Sequence, residues 1–149
     1  MEIACRVSPI QRLTPHGINI TIGHKMESDL WLKKMGDVLR EFSSREFQER
    51  VWLKGLGPEV SSYEEAMCRL FDDLGLSRLV DMEWRQAGLS EDQVSALRNF
   101  RENLLRFDKD IPEIPKAADI SERSSSEGVR ASARQTLAVF DRTSCRPPP

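Results

Sequence analysis

The spacing of apolar residues along the chain predicts a series of amphipathic helices. From Ser28 onward, large apolar side chains recur every three or four positions, which places them on one face of a helix. The clearest series opens after Ser62 and stops at Gly75; it comprises Tyr63, Ala66, Met67, Leu70, Phe71 and Leu74. Similar series predict a first helix from Ser28, a long helix after Ser90 and a last helix from about Glu127.

Local signals mark where several of these helices start and stop. A serine followed three residues later by glutamate or glutamine forms a capping box, in which the serine oxygen accepts from an unpaired amide of the first turn. This spacing occurs at Ser43, Ser62 and Ser90. The turn Gly55–Pro58 predicts the end of a short helix, because glycine permits the left-handed conformation of a helix stop and proline cannot continue a helix.

These patterns predict an all-α fold: a single compact domain of about five or six helices. Apolar residues from all the predicted helices are expected to converge in one core: Leu30, Phe42, Trp52, Leu70, Phe71, Leu97, Phe100, Leu104, Leu137 and Phe140. The tryptophans are expected to belong mainly to this core, with Trp84 the best suited of the three to an interface.

The two ends of the chain depart from the helical pattern. Residues 1–25 form an irregular, net-positive extension, in which the alternation of Ile18, Ile20 and Ile22 predicts a short strand. We expect the helical domain to occupy residues 26–142. Residues 143–149 end in consecutive prolines and are expected to form a disordered tail.

The composition is typical of a globular domain with a highly charged surface. The 149 residues are 39% hydrophobic and 31% charged, and this length suffices for one core. No apolar run reaches the roughly 18–20 residues of a membrane helix, and the first residues lack the apolar stretch of a signal peptide. We therefore expect a cytoplasmic protein. The cysteines at positions 5, 68 and 145 are widely spaced, so no disulfide framework is expected.

The residue pattern indicates neither catalysis nor a metal or cofactor site. His16 and His24 lie in the irregular extension without a nucleophile at motif spacing, and no Cys/His spacing suits zinc. The Gly55–Pro58 turn lacks the lysine of a phosphate-binding loop. Adjacent carboxylates such as Glu64 and Glu65 need burial to divide acid and base roles, whereas a wet helix face is expected here. We therefore predict that the protein is not an enzyme and uses no cofactor.

Acidic residues are concentrated in the middle of the chain. Between Glu59 and Asp92 there are nine acidic and three basic residues, a net charge of −6, whereas the whole chain has −2. Such a surface is suited to a basic partner; the alternative is an ordinary solvated face, aided by acids near a helix start. We predict that the partner-binding surface comprises the exposed side of helix 62–75 and the following segment, with seven residues: Glu64, Glu65, Asp72, Asp73, Asp81, Glu83 and Trp84.

Three fragments carry a resemblance to known proteins. They are FSSREFQERVWLKGLGPEVSSYEEAMCRLFDD (42–73), GLSEDQVSALRNFRENL (88–104) and VRASARQTLAVF (129–140). Together they resemble the small bacterial immunity proteins that accompany secreted or contact-delivered toxins. The resemblance covers roughly residues 28–141, and no functional residue carries over because the group has no defining binding motif.

The resemblance implies a cytoplasmic protein that neutralises a cognate toxin by tight one-to-one binding. Many such toxins are nucleases with basic surfaces. A carboxylate cluster would bind such a surface, steer the association and occlude the surface. No small-molecule substrate, membrane or direct nucleic-acid partner is expected. Two other classes stay open: a general protein-interaction or adaptor module, and a nucleic-acid-associated regulator. A net-acidic chain without an aromatic and basic stripe argues against the second as the main role.

Overall fold

The regular structure of the described residues is entirely helical. The computed structural model describes residues 24–113 and 115–144, and the residues of the predicted strand lie outside this part. No strand occurs within it, which confirms the predicted all-α class and single domain. In chain order the helices are α1 (His24–Ser43), α2 (Arg45–Phe47), α3 (Tyr63–Cys68), α4 (Leu76–Arg78), α5 (Glu91–Asp110), α6 (Ala117–Ser121) and α7 (Ser124–Ser144).

Three of the short helices continue directly as π-helical segments. α2 runs into π1 (Gln48–Leu53), α3 into π2 (Arg69–Asp73) and α4 into π3 (Leu79–Glu83). A π-helix bonds each amide to the carbonyl five residues earlier, a rare geometry that is frequent at functional sites. The sequence did not predict these segments, because apolar spacing of three and four residues describes an α-helical face.

The long helix α7 packs against both α1 and α5. Its contact face is built from small residues: Ser132, Ala133 and Thr136 are buried, and a Cβ added at Gly128 would lie 3.5 Å from an α5 side-chain oxygen. The Thr136 hydroxyl lies within hydrogen-bond distance of the Ser132 and Ala96 carbonyl oxygens, at 2.8 and 3.2 Å. Small side chains therefore let the helices approach closely, and the polar ones among them are satisfied.

Phe42, near the end of α1, lies at the centre of the core. Its ring makes edge-to-face contacts with Trp52, Phe100 and Tyr63, at centroid distances of 5.3, 5.5 and 6.4 Å, a geometry that aromatic pairs prefer. All the predicted core residues except Leu30 are buried or packed against this core.

Leu30 was expected in the core, and this prediction is wrong because its side chain is 52% exposed. The reason is geometric. Successive helical residues are rotated by about 100°, so Leu30, Trp31 and Leu32 together span about 200° of the helix surface. Only Trp31 of the three is turned far enough inward to pack against the core.

Serine caps begin three helices, one of them a residue later than predicted. Ser62 and Ser90 cap α3 and α5 as expected. The cap of α2 is Ser44 rather than Ser43, since Ser44 Oγ accepts a hydrogen bond from the Phe47 amide at 3.1 Å. The capping serine thus lies one residue closer to the hydrophobic run than the spacing to glutamate indicated.

Two further sequence expectations are wrong. The polar, serine-rich sequence of Ser121–Ser126 predicts a loop, but α6 ends at Ser121 and α7 begins at Ser124. Cys68, at the end of α3, is disulfide-bonded, whereas the wide spacing of the cysteines predicted no disulfide framework.

A buried arginine links α7 to the end of α1. Arg130 is only 2% exposed. Its guanidinium donates to Gln48 Oε1 at 3.0 Å, to the Ser121 carbonyl at 3.1 Å and to Glu127 Oε2 at 2.8 Å. The equally buried Gln48 side chain donates to two carbonyl oxygens in the last turn of α1. Because a buried guanidinium is tolerated only when it is paired and hydrogen-bonded, Arg130 serves the fold rather than the surface.

We predict that Arg130→Met destabilises the protein by about 2–4 kcal/mol, because several buried acceptors lose their donor at about 1 kcal/mol or more each. Arg134→Met is the matched control, since that side chain is 53% exposed and its ion pair with Glu127 should contribute less than about 1 kcal/mol. Urea unfolding followed by circular dichroism measures both. Equal losses in the two variants would contradict the structural role of Arg130.

The single tyrosine of the chain provides a second test. Tyr63 is buried and its hydroxyl donates to Asp108 Oδ1 at 2.7 Å. Burial, and then the bond to Asp108, raise the tyrosine pKa far above its usual range. The unfolded chain releases this proton near pH 10. The stability that the protonated hydroxyl contributes is therefore fully present below that pH, and the free energy of unfolding falls by about 1.4 kcal/mol per pH unit above it.

We therefore expect tyrosinate absorbance to appear only as the protein unfolds, and Tyr63→Phe to remove this part of the alkaline loss of stability. Tyrosinate formation near pH 10 in protein that retains its folded circular dichroism would contradict the burial of this hydroxyl.

Candidate functional site: a groove with a carboxylate rim

The helix formed by α3 and π2 carries four of the predicted site residues, two at each end. Ser62 caps its start by accepting from the Glu65 amide at 3.1 Å. Glu64 and Glu65 are exposed in this first turn, where the positive end of the helix dipole stabilises them. The other pair is Asp72 and Asp73, which lie roughly 10 Å further along the axis. The structure therefore divides the predicted acidic face into two separate ends.

Asp72 and Asp73 lie in the last turn of this helix, immediately before Leu74 and Gly75. Both side chains are exposed, and within the described part of the chain neither has a hydrogen-bond or ion-pair partner. The carboxyl end of a helix carries a partial negative charge, so an acid there is unfavourable by a few tenths to about 1 kcal/mol. The dipole of the α3–π2 helix therefore does not favour these two carboxylates.

Asp81 and Glu83, on π3, are paired with arginines. Arg101 of α5 lies 3.0 Å from Asp81 Oδ2, and its hydrogen bond lowers the Asp81 pKa. Arg78 lies 2.6 Å from Glu83 Oε1. The predicted acidic surface is thus partly neutralised by the chain itself, at π3 rather than at π2.

Trp84 follows π3 and is half-buried against the core. The Arg85 guanidinium covers its ring at 4.6 Å from the centroid, which is within cation–π range. Trp84 therefore connects this segment to the core and presents its remaining surface beneath an arginine.

A groove of about 350 Å³ lies between the first helix and the two acid-bearing π segments. It brings together Asp72, Asp73 and Glu83 of the predicted site, and the structure does not place Glu64, Glu65, Asp81 or Trp84 in it. The remaining lining is mainly apolar and consists of Trp31, Leu32, Leu74, Leu79 and Ala87, together with Gly75 and Arg78.

Trp31 is the aromatic residue of the groove, and the predicted site omitted it. Its indole N–H donates to the Leu74 carbonyl at 3.2 Å. That carbonyl belongs to the end of the α3–π2 helix, where backbone oxygens lack helical partners. Trp31 thereby ties α1 to the helix end that carries Asp72 and Asp73. The sequence contained one signal: Leu30, Trp31 and Leu32 together span about 200° of the helix surface, which is wider than the usual core-facing stripe of a surface helix.

The polar cluster that most resembles a catalytic arrangement has a structural role. The Glu41 carboxylate accepts from Ser61 Oγ at 2.6 Å, from Arg69 Nη2 at 2.8 Å and from the Trp52 indole at 3.3 Å. With these donors converging on it, the carboxylate links α1 to π1, π2 and the loop before α3. Among the described side chains, no group of three or more His, Cys, Asp or Glu is placed to hold a metal ion.

The arginines of the last helix are largely engaged within the fold. Arg130 is buried, Arg134 donates to the Ser43 carbonyl at 3.1 Å and to Glu127 Oε1 at 2.7 Å, and Arg142 Nε donates to a carbonyl of its own helix. A surface that reads phosphates needs basic side chains free to reach them. In residues 24–113 and 115–144, no helix is both long and apolar enough to cross a membrane.

Comparison with known proteins assigns no family to this all-α domain. No protein-family model matches the chain, and neither a curated protein nor a solved structure shows a significant match to it.

We predict that Arg101→Met raises the Asp81 pKa toward the ordinary value of an exposed aspartate, about 4, because the hydrogen bond from Arg101 is the first cause of its depression. A depressed carboxylate pKa contributes stability above the unfolded pKa, and this contribution is lost as pH falls through the folded pKa. Side-chain NMR titration measures the Asp81 pKa, with Arg106→Met as the control at an exposed position of the same helix. An Asp81 pKa that is unchanged in Arg101→Met would contradict the pairing.

Proposed function

We propose that this chain is an immunity-type inhibitor, which neutralises a bacterial toxin by direct, tight one-to-one binding through the carboxylate-rimmed groove. The observation that carries this proposal is the placement of Asp72 and Asp73. They are exposed, lack partners among the described residues and lie at the negative end of a helix, beside an apolar groove. The resemblance of three sequence fragments to immunity proteins supplies the class of partner.

Two unfavourable surface charges can be explained by what they contribute to the binding of a partner. Natural sequences lose stability where function requires it, and surface charges at a helix end are easily replaced. A basic partner converts the unfavourable carboxylates into ion pairs, so the free energy that they cost the free protein is recovered on binding. Ion pairs on a surface also steer association, which suits an inhibitor that must act before free toxin does harm.

The partner class that fits this surface is a toxin with a basic face, such as a nuclease. Binding over such a face would occlude the phosphate-binding residues without any reaction by the inhibitor. The proposal therefore includes that the chain is not an enzyme and uses no cofactor. The engagement of the last-helix arginines within the fold favours this protein-binding role over the nucleic-acid-associated regulator.

A cytoplasmic location follows from the proposed role, since an immunity protein of this kind meets the toxin where the toxin acts. The disulfide at Cys68 is the observation that stands against it, because disulfides persist mainly in oxidising compartments. The groove is built without Cys68, so the binding role does not depend on this bond.

The experiment is co-expression with the product of the adjacent gene. We expect that product to arrest growth of a laboratory bacterium when expressed alone, and the wild-type chain to restore growth and copurify with it. A harmless neighbour, or restoration of growth without a complex, would overturn the proposed function.

The variant Asp72→Lys/Asp73→Lys should separate stability from binding. We predict that it unfolds at a higher urea concentration than the wild type, with a gain of about 0.5–2 kcal/mol from the reversed helix-end charges. The same variant should fail to restore growth. Purified proteins should show slower association with little change in release, and added salt should slow the wild type in the same way.

The matched control is Glu102→Lys/Glu122→Lys, which changes the net charge equally at two exposed carboxylates that do not line the groove. It should restore growth and associate at close to the wild-type rate. If both double variants lose the same fraction of the association rate, net charge rather than the groove governs binding. If the groove variant associates as fast as the wild type, the acidic surface is not the interface.

A further inference from the structure

The lining of the groove combines apolar and charged side chains. Trp31, Leu79 and Ala87 are among the apolar ones, and three carboxylates with one guanidinium, that of Arg78, line it as well. The charged lining therefore has a net charge of −2. Because Arg78 already bonds Glu83 at 2.6 Å, the surplus charge is that of the two aspartates.

Apolar surface next to carboxylates fits one type of side chain. Arginine and lysine bury an aliphatic stem along apolar surface while the charged head stays at a polar edge. Of the two, the guanidinium is flat, stacks on indole faces and bonds carboxylates in pairs of parallel hydrogen bonds. The protein uses the same chemistry internally, where the Arg85 guanidinium lies over Trp84.

We propose that the groove receives an arginine side chain from a basic segment of the partner, with its stem against Trp31 and its guanidinium within ion-pair distance of at least one of the carboxylates of Asp72 and Asp73. This inference rests on the proposed function for the identity of the partner and on the groove for the chemistry. A volume of about 350 Å³ lies at the lower end of the range of ligand pockets, so it suits one or two side chains rather than a folded element.

The carboxylates of the groove come from two different segments. Asp72 and Asp73 come from π2, and Glu83 comes from π3. Both segments line the groove, and Trp31 ties the end of the first one to α1 through the Leu74 carbonyl. A guanidinium entering the groove would replace solvent beside these aspartates and would lie near the existing pair of Arg78 and Glu83.

The test uses a defined probe and the free protein. The peptide acetyl-Gly-Arg-Gly-Arg-Gly-amide is titrated into ¹⁵N-labelled protein, and the indole N–H signal of Trp31, assigned with Trp31→Phe, is followed by NMR. The counterpart peptide carries citrulline, which has nearly the shape of arginine but no charge. We expect a saturable shift with arginine and at least about tenfold weaker binding with citrulline, because charge-assisted hydrogen bonds are lost.

Two variants locate the site. Asp72→Asn/Asp73→Asn keeps the side-chain shape and should abolish the arginine-dependent shift, while its spectrum shows that the fold is retained. Glu102→Gln/Glu122→Gln removes the same charge outside the groove and should bind as the wild type does. Equal shifts from arginine and citrulline, or no shift at Trp31, would overturn the inference, as would unchanged binding in the aspartate variant.

The groove inference and the proposed function can fail independently of each other. If the peptide leaves Trp31 unmoved while the wild-type chain still neutralises the neighbouring product, the groove inference fails and the function stands. If the peptide binds as described while the neighbouring product is harmless, the groove inference stands and the function fails.

Discussion

The packing of α7 against α1 and α5 holds the frame of this fold together. Small buried side chains such as Ala133 and Thr136 lie on the α7 side of that contact, and adding volume to such buried positions is destabilising. The shorter α and π segments then attach to this frame. Arg130 makes one such attachment through Gln48, and Phe42 makes another through its ring contacts with Trp52 and Tyr63.

Polar side chains from the long helices satisfy the ends of the short ones. Trp31 of α1 donates to the Leu74 carbonyl, and Arg98 of α5 donates to the Val80 carbonyl at 2.6 Å. Each of these contacts fixes one wall of the groove, because the first ends π2 and the second lies in π3. The same hydrogen bonds therefore satisfy these backbone carbonyls and position the segments that line the groove. Within the described residues, the carboxylates of Asp72 and Asp73 have no hydrogen-bond or ion-pair partner in this arrangement, which is why we propose that they bind a partner protein.

Much of the fold was predictable because the apolar repeat is local information. The buried series after Ser62 and the caps at Ser62 and Ser90 were read correctly from spacing alone. The acidic site was predicted less well, since the contacts that divide it are long-range in sequence. Arg101 pairs with a residue 20 positions away and Trp31 bonds a carbonyl 43 positions away. No periodicity records such distances, and the π segments also shift side chains off the α-helical face that the repeat describes.

In our proposal, the partner's positive charge compensates Asp72 and Asp73 in the groove beside Trp31. A crystal structure of the complex with the neighbouring gene product tests this directly. We predict an arginine of the partner within ion-pair distance of one of these aspartates, its stem against the Trp31 ring, and the surface of Trp31 covered. A complex in which the partner binds elsewhere, with Asp72 and Asp73 still open to solvent, would contradict it.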